Sequence, residues 1–449
     1  MSSNLAGLSA TDAIASVATD FRELPAEPVD YLADGPLGWP GYDDARRAAK
    51  ESSEQDEAVV SGTATIGTGR AVVIAFDFRY LGGSVGMNTG DRIARAFETA
   101  RAEALPVVSL IATGGSRMQE SMCALRQLQR IALECQRTRA AGCPQLAVLR
   151  DPTTGGVWVS LGAAADVVLA VSGAQVGFAG RRVRSGSDVD DPAYTAEGQF
   201  DAGGVDQVLP ADELAGALAG WLDLLCGEHD RTPPEPPRAL GHRDLPADGW
   251  TAVRRARAAE RPRAEAYLDD YFTERLLLSG DRCGGVDPGV LCGVGLRAGR
   301  SIAFAAQAGT ATTPAGFRTA TRLVQLADRL GLPVLTIVDT PGAANDAASE
   351  RAGLGAAIAE LFSAIAAATV PVSTLVIGEG GSGGALAFTA PERTWVTPDA
   401  YFSVIAPELG AAILKRSVDE IPATADSLRL RPQDLVELGV VRGIVDHSM

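Results

Sequence analysis

The sequence predicts an α/β protein made by tandem duplication of one α/β unit, and three observations carry that reading. Apolar, β-branched runs such as RAVVIAFDF, LPVVSLIAT and PQLAVLRD alternate with stretches of helical periodicity. The same order of elements recurs after a Pro-rich break. Landmarks recur at one offset: Pro106 matches Pro333 (333 − 106 = 227), Pro144 matches Pro371 (371 − 144 = 227), and Gly156 matches Gly383 at the same spacing. Strands separated by helices imply parallel pairing with right-handed crossovers, and a fixed offset is the signature of an internal repeat.

Each element has its own signal. Residues 1–57 hold scattered prolines and acids, end in ESSEQDE, and read as a partly helical extension. From Ala58, AVVSGTATIG and RAVVIAFDF read as a hairpin. DRIARAFETARAE places Ile93, Ala96, Phe97 and Ala100 on one helical face. LPVVSLIAT is a strand with proline at its edge, MCALRQLQRIALECQRTRAAG an amphipathic helix, and PQLAVLRD the next strand. Met118 and Met122 stand one helical turn apart and read as core. Residues 58–228 form the first domain, and residues 229–249, HDRTPPEPPRALGHRDLPADG, read as a linker. In the second domain, 250–449, GVLCGVGLRAGRSIAFAAQ repeats the hairpin. FRTATRLVQLADRLGLPVLTIVDTPG repeats helix, strand and turn, and VPVSTLVIGEGG repeats the next strand. GVDQVL at 204–209 is echoed by GVVRGIVD at 439–446.

Composition narrows the function. The 449 residues carry a net charge of −16, which argues against a nucleic-acid surface, although a local arginine cluster can still hold an anionic ligand. Six cysteines without a CxxC and three histidines make a zinc site an unfavoured reading and suggest reduced thiols in a cytoplasmic protein. No stretch reads as a membrane span or a secretory leader. Glycine is 50 of 449 residues, about 11 % against a usual ~7 %, and that excess needs a reason.

The reason lies at strand ends. GEGGSGGALAF, residues 378–388, admits three chemistries. GxSxG around Ser382 suits a hydrolase elbow, but the one downstream histidine is His447, near the end of the sequence, and GGSVG at 82–86 matches the same pattern. GxGxxG suits a dinucleotide turn, with Asp399 near the spacing of the expected acid. The third chemistry is a backbone oxyanion hole. Glycine pairs recur in register in both halves (Gly114–Gly115, Gly155–Gly156, then VDTPGA and GEGGSGGA), and backbone N–H groups at such turns can hold a developing oxyanion. The recurrence favours this third reading. Glu120 and Glu379 read as structural hydrogen-bonding acids.

TGGSRMQES, DPTTGGV and GFAGRRV resemble the β subunit of bacterial acetyl-CoA carboxylase carboxyltransferase. ERPRAEAYLDDYF, LSGDRCGGVDP, PAGFRTATRLVQLADRLGLPVLTIVDTPGA, VPVSTLVIGEGGSGGALAF and YFSVIAPELGAAILKR resemble its α subunit. The match covers nearly all of residues 58–446, in the order β then α. The resemblance implies a crotonase-like ββα-superhelix (ClpP/crotonase) domain in each half. It implies a carboxyltransferase that moves a carboxyl group between carboxybiotin, carried on a separate protein, and acetyl-CoA or a short acyl-CoA. By motif match, Gly155 and Gly156 would hold the thioester enolate, and Gly383, Gly384 and Ala385 the biotin ureido oxygen. Gly114, Gly115, Gly180, Arg79, Arg117, Arg181 and Arg182 would bind the acyl-CoA, and Gly342, Gly380 and Gly381 would line the other substrate's side. No metal is implied. The implied partners are a biotin carboxyl carrier and biotin carboxylase, with a homodimer at least, its active site formed between the β-like half of one protomer and the α-like half of another.

The sequence also departs from the family. The β subunit's four-cysteine zinc ribbon is not matched, the GHQKGRD-like segment stands as AAQAGT (305–310), and TPGAYPGxxAEERG stands as TPGAANDAASERAG. These departures leave a second reading, a biotin-independent decarboxylase of a malonyl thioester.

Overall fold

The computed structural model describes residues 7–26, 32–227 and 229–447. They fall into two compact units, Met1–Gly227 with Arg282–Gly284, and Glu228–Asp281 with Gly285–Met449. The first unit contains β1 (Thr19–Glu23), β2 (Val59–Ile66), β3 (Gly69–Phe76), β4 (Val107–Thr113), β5 (Gln145–Thr154), β6 (Val167–Val171), β7 (Val176–Gly177) and β8 (Gln207–Leu209). Its sheet runs β1-β2-β3-β4-β5-β6-β8, with β7 paired to β5. The second unit contains β9 (Glu274–Leu278), β10 (Val290–Arg297), β11 (Arg300–Gln307), β12 (Val334–Thr340), β13 (Val372–Gly381), β14 (Thr394–Val396), β15 (Tyr401–Ser403) and β16 (Gly443–Ile444). Its sheet runs β9-β10-β11-β12-β13-β14-β16, with β15 paired to β13.

The duplication reaches the level of single hydrogen bonds. Val107 faces Gln145 in the β4–β5 ladder and Val334 faces Val372 in the β12–β13 ladder, both displaced by 227 (334 − 107 and 372 − 145). Each ladder breaks register at the same place, between Ile111 and Thr113 in one and between Val338 and Thr340 in the other. Thr113 Oγ1 accepts from the Gly115 amide at 3.0 Å and donates to the Gly83 carbonyl at 2.7 Å. Thr340 Oγ1 accepts from Gly342 at 3.1 Å and donates to the Thr310 carbonyl at 2.7 Å. The bridges Val85–Ser116 and Thr312–Ala343 obey the same offset.

The helices follow their apolar faces. Met87–Glu103 buries Ile93, Ala96, Phe97 and Ala100, the expected stripe, and Pro314–Leu330 buries Phe317, Ala320, Leu323, Val324 and Ala327. In the second unit Phe304, Leu335, Ile337, Leu375 and Ile377 from the sheet pack with Tyr267, Leu268 and Tyr271. The methionine reading is corrected: Met118 is 73 % and Met122 62 % exposed. Met118 lies in a short 3-10 turn, Met118–Glu120, and the helix proper, Ser121–Ala140, begins after it.

The two segments flanking the first domain are also better integrated than the sequence suggested. β1 of the extension pairs antiparallel with β2, Arg150 donates to the Leu8 carbonyl, and Asp77 accepts from the Ala10 amide. The Pro-rich segment belongs to the second unit, where Ala239 donates to the Asp446 carbonyl at 2.8 Å and Tyr271 Oη to the Glu235 carbonyl at 2.7 Å. Composition marked it as aperiodic, but it carries its hydrogen bonds to the second unit's body.

Candidate active site

In the first unit the glycine-bearing ends of β4 and β5 meet. Gly115 and Gly155 both take positive φ, +108° and +75°. A Cβ at Gly155 would lie 2.9 Å from the Gly115 Cα, an approach that side chains would forbid. Gly180 joins them, with Thr154 Oγ1 its nearest neighbour at 3.5 Å from a Cβ position. Gly114 is exposed, and its amide donates to the Gly82 carbonyl at 2.8 Å. One expectation is corrected: the Gly155 amide is not a free donor, because it is shared between the Gly177 carbonyl at 3.2 Å and the Phe178 carbonyl at 3.1 Å. Gly155 shapes the turn instead. Gly156 is half-buried and is followed by fully buried Val157 and by a wide turn of π type, Trp158–Gly162. Such π turns recur at functional sites.

In the second unit β13 ends at Gly381 and a five-residue helix, Ser382–Leu386, begins at once. Here Ser382, φ +53°, takes the place that Gly155 holds in the first unit (382 − 155 = 227). The turn is packed closely on the β12 end: a Cβ at Gly381 would lie 2.0 Å from the Pro341 carbonyl oxygen, and one at Gly384 2.3 Å from the Ala343 amide nitrogen. Gly380 meets Tyr401 and Phe402 in the same way, and Gly342, φ +143°, faces the Gly381 carbonyl. Gly383 is different. A Cβ there would meet nothing within 4 Å, and Gly383 is not among the residues of positive φ. Neither packing nor backbone conformation requires glycine at this position. Ala385 is fully buried, which corrects its expected role: a ligand oxygen does not reach its amide, and Gly383 is the open position.

The hydrolase alternative finds no base at this turn. His242 bonds Asp399, with Nδ1 and Oδ1 2.5 Å apart, and His447 Nε2 bonds the His242 carbonyl at 2.9 Å. Glu379 accepts from Tyr401 Oη at 2.8 Å and from Arg257 at 2.7 Å, so it braces the turn as a structural acid. Glu120 does the same in the first unit, accepting from Tyr42 Oη and the Met87 amide, each at 2.6 Å.

The expected arginines separate into two groups. Arg117 is buried at 1 % exposure and its guanidinium is committed to Glu57 at 2.5 Å, Glu120 at 3.3 Å and the Ser84 carbonyl at 2.8 Å. Those carboxylates hold its pKa well above the usual arginine range against the opposing effect of burial. It is a core ion pair and does not face a ligand. Arg79 is held by both oxygens of Asp77 and by the Ser53 carbonyl at 3.0 Å. Arg181 and Arg182 stay on the surface beside Gly180, Arg181 in an exposed pair with Asp190 at 2.9 Å. Exposed Phe178 and Val183, 71 % and 77 %, flank them. The pattern of basic residues beside a motif could not tell the buried arginine from the exposed ones. The signal was Glu120, three residues after Arg117 on the next turn.

Known proteins match this arrangement. The family described as acetyl co-enzyme A carboxylase carboxyltransferase-like matches residues 245–449, and the carboxyl transferase domain matches residues 29–208. The chain is 40 % identical over 422 residues to the acetyl-coenzyme A carboxylase carboxyl transferase subunits beta/alpha of Salinispora arenicola, covering 89 % of this chain and 75 % of that one. It is 40 % identical over 456 residues to the protein of the same name from Saccharopolyspora erythraea, covering 96 % and 78 %. Among solved structures it superposes on the transcarboxylase 12S core with a TM-score of 0.80 at 19 % identity, covering 98 % of this chain and 87 % of that one, which shows a shared crotonase-like fold. The order β-like then α-like, the duplicated glycine turns and these matches agree, and the chain belongs to the acetyl-coenzyme A carboxylase carboxyl transferase beta/alpha family.

Proposed function

We infer that the protein is a carboxyltransferase that moves a carboxyl group from carboxybiotin, held on a separate carrier protein, to acetyl-CoA or a short acyl-CoA. The observation that carries the reading is Gly383: open space where a side chain would stand, on a turn built from 227-residue duplicates of the first unit's turn. Family membership supplies the reaction class. The carrier's biotin would fit the Gly383 turn, where the chain leaves room for a flat ring to come against the backbone. When bound it supplies the carboxyl group and a ureido oxygen that gathers negative charge.

The chain's own work is electrostatic. The first N–H groups of a helix have no intrahelical acceptor, and that of the half-buried residue Gly383 is one of them. Aimed at an oxygen that becomes negative, such a donor contributes most in the transition state, and its loss typically costs ~10²–10³ in rate. Gly156 holds the equivalent place for the thioester oxygen of the acyl-CoA, whose α carbon must bear enolate character to take the carboxyl group. Arg181 and Arg182 at the surface supply charge for the CoA phosphates. The protein acts as a homo-oligomer, supported by the exposed apolar residues Val404, Leu409, Ile413, Leu414 and Val418 of the second unit, 57–80 % exposed. We place it in the cytoplasm, a reading that six cysteines without a CxxC motif support.

The test is turnover of malonyl-CoA to acetyl-CoA by the purified protein, with and without free biotin. Strict dependence on biotin supports carboxyl transfer. Equal rates without biotin would replace it with the decarboxylase reading.

A further inference from the structure

Gln307, the last residue of β11, is 0 % exposed, and the sequence motifs gave it no role. Its Nε2 donates to the Gly384 carbonyl at 3.1 Å and to Thr312 Oγ1 at 2.9 Å. A carbonyl oxygen only accepts, so the NH₂ end of the amide must face Gly384 and the orientation of the side chain is fixed. Its Oε1 is buried without a hydrogen-bond partner among the described residues. Leaving a buried acceptor unpaired is costly. A glutamine is therefore a poor choice for stability at this site, and the half of the amide in use is the donor.

We propose that Gln307 is a positioning residue for the glycine turn at Gly383–Gly384, a role that rests on the carboxyltransferase reading. Gly383 and Gly384 have no side chains to restrain them, and glycine is the most permissive residue in backbone conformation. Seating on the Ala343 amide fixes one side of Gly384, and Gln307 fixes its carbonyl. Holding that carbonyl fixes the Gly384–Ala385 peptide plane, and with Gly384 seated on Ala343 it limits how far the backbone that carries the Gly383 amide can turn. The loop under Gly384 is tied by its own backbone: the Thr312 amide donates to the Gly342 carbonyl at 3.0 Å, the Ala344 amide donates to the Thr312 carbonyl at 2.9 Å, and the Gly342–Ala343 peptide seats Gly384.

The experiment compares wild type, Gln307→Met and Thr312→Val in two measurements: biotin-dependent malonyl-CoA turnover and amide hydrogen exchange across the second unit. Gln307→Met is expected to lower kcat about ten- to a hundredfold, below the loss of a direct oxyanion donor, with the KM for malonyl-CoA within about twofold. Exchange in the peptide spanning 382–388 is expected to rise about tenfold while β10 to β13 stay protected. Thr312→Val, which removes the amide's other acceptor and leaves the bond to Gly384, is expected to keep kcat within about threefold. Unchanged kcat and exchange in Gln307→Met would overturn the proposal. So would an equal kcat loss in Thr312→Val, or exchange rising throughout the unit, since either marks a merely structural residue. If the wild-type protein shows no biotin-dependent turnover, the functional reading fails, and local exchange at 382–388 still decides whether Gln307 holds the turn.

Discussion

Gly383 and Gly384 are neighbours with opposite reasons for lacking a side chain. At Gly383 a methyl group meets nothing in the chain, while at Gly384 it would meet the Ala343 backbone at 2.3 Å. Gly383→Ala is therefore expected to hold or raise the melting temperature, since alanine favours a helix by ~1 kcal/mol over glycine, and to lower carboxyl transfer about a hundredfold. Gly384→Ala is expected to lower the melting temperature first. Thermal denaturation beside the malonyl-CoA assay separates the two, and a fully active Gly383→Ala enzyme would remove Gly383 from the site. The arginines divide in the same way. Arg117→Ala strands the buried carboxylates Glu57 and Glu120 and is expected to cost about 3–5 kcal/mol of stability. Arg182→Ala is expected to leave stability unchanged and raise the KM for the acyl-CoA. A normal melting curve for Arg117→Ala would contradict its place in the core. The sequence could not sort these arginines, because burial depends on where Glu57, sixty positions away, is brought by the fold.

At the scale of elements, the succession of strands and helices, the hairpins and the glycine turns were legible because parallel β-strands buried on both faces write continuous apolar runs, and because each run occurs twice. The repeat offset also contained a finer message. It aligns Gly155 with Ser382, which identifies the left-handed position of each turn, and it places Val157 against Gly384, so the two turns are not copies in their second residue. The threonines beneath the turns, Thr113 and Thr340, gave no signal by type alone. Each ties the following glycine amide to a carbonyl of a neighbouring loop. Thr113→Val and Thr340→Val are each expected to cost ~1 kcal/mol, the worth of a hydrogen bond at such a turn, measured by chemical denaturation. A large effect in one and none in the other would mean that the duplicated geometry is not duplicated in energy. The extension and the Pro-rich segment were illegible for a different reason: β1 and the 229–249 stretch lack periodicity and take their places through pairing with β2 and through backbone and side-chain hydrogen bonds to distant residues.

For the whole molecule, duplication gives each unit one glycine turn, and the two differ in their surroundings: a Cβ at Gly156 would meet the Leu128 side chain at 2.1 Å, while one at Gly383 would meet nothing within 4 Å. Two such turns suit the proposed reaction of two substrates with a charge that grows on each. Surface chemistry bears on the proposed assembly. Val404, Ile413 and Val418 are 70 % exposed or more, an apolar cost that self-association removes. Light scattering is expected to give a dimer or a larger species; a stable, fully active monomer would contradict it. The departure at Ala305–Thr310 reaches the second turn through Gln307, while the one at Asn345–Asp346 lies in the loop before the helix Ala347–Arg351. Asp346 there caps the helix Ala347–Arg351 through the Ala348 and Ser349 amides, so its charge serves local structure. Whether biotin is still the carboxyl donor is decided by one measurement, the release of acetyl-CoA from malonyl-CoA with and without free biotin. Turnover that appears only with biotin is the expected result. Turnover at the same rate in its absence would contradict carboxyl transfer and make the protein a decarboxylase.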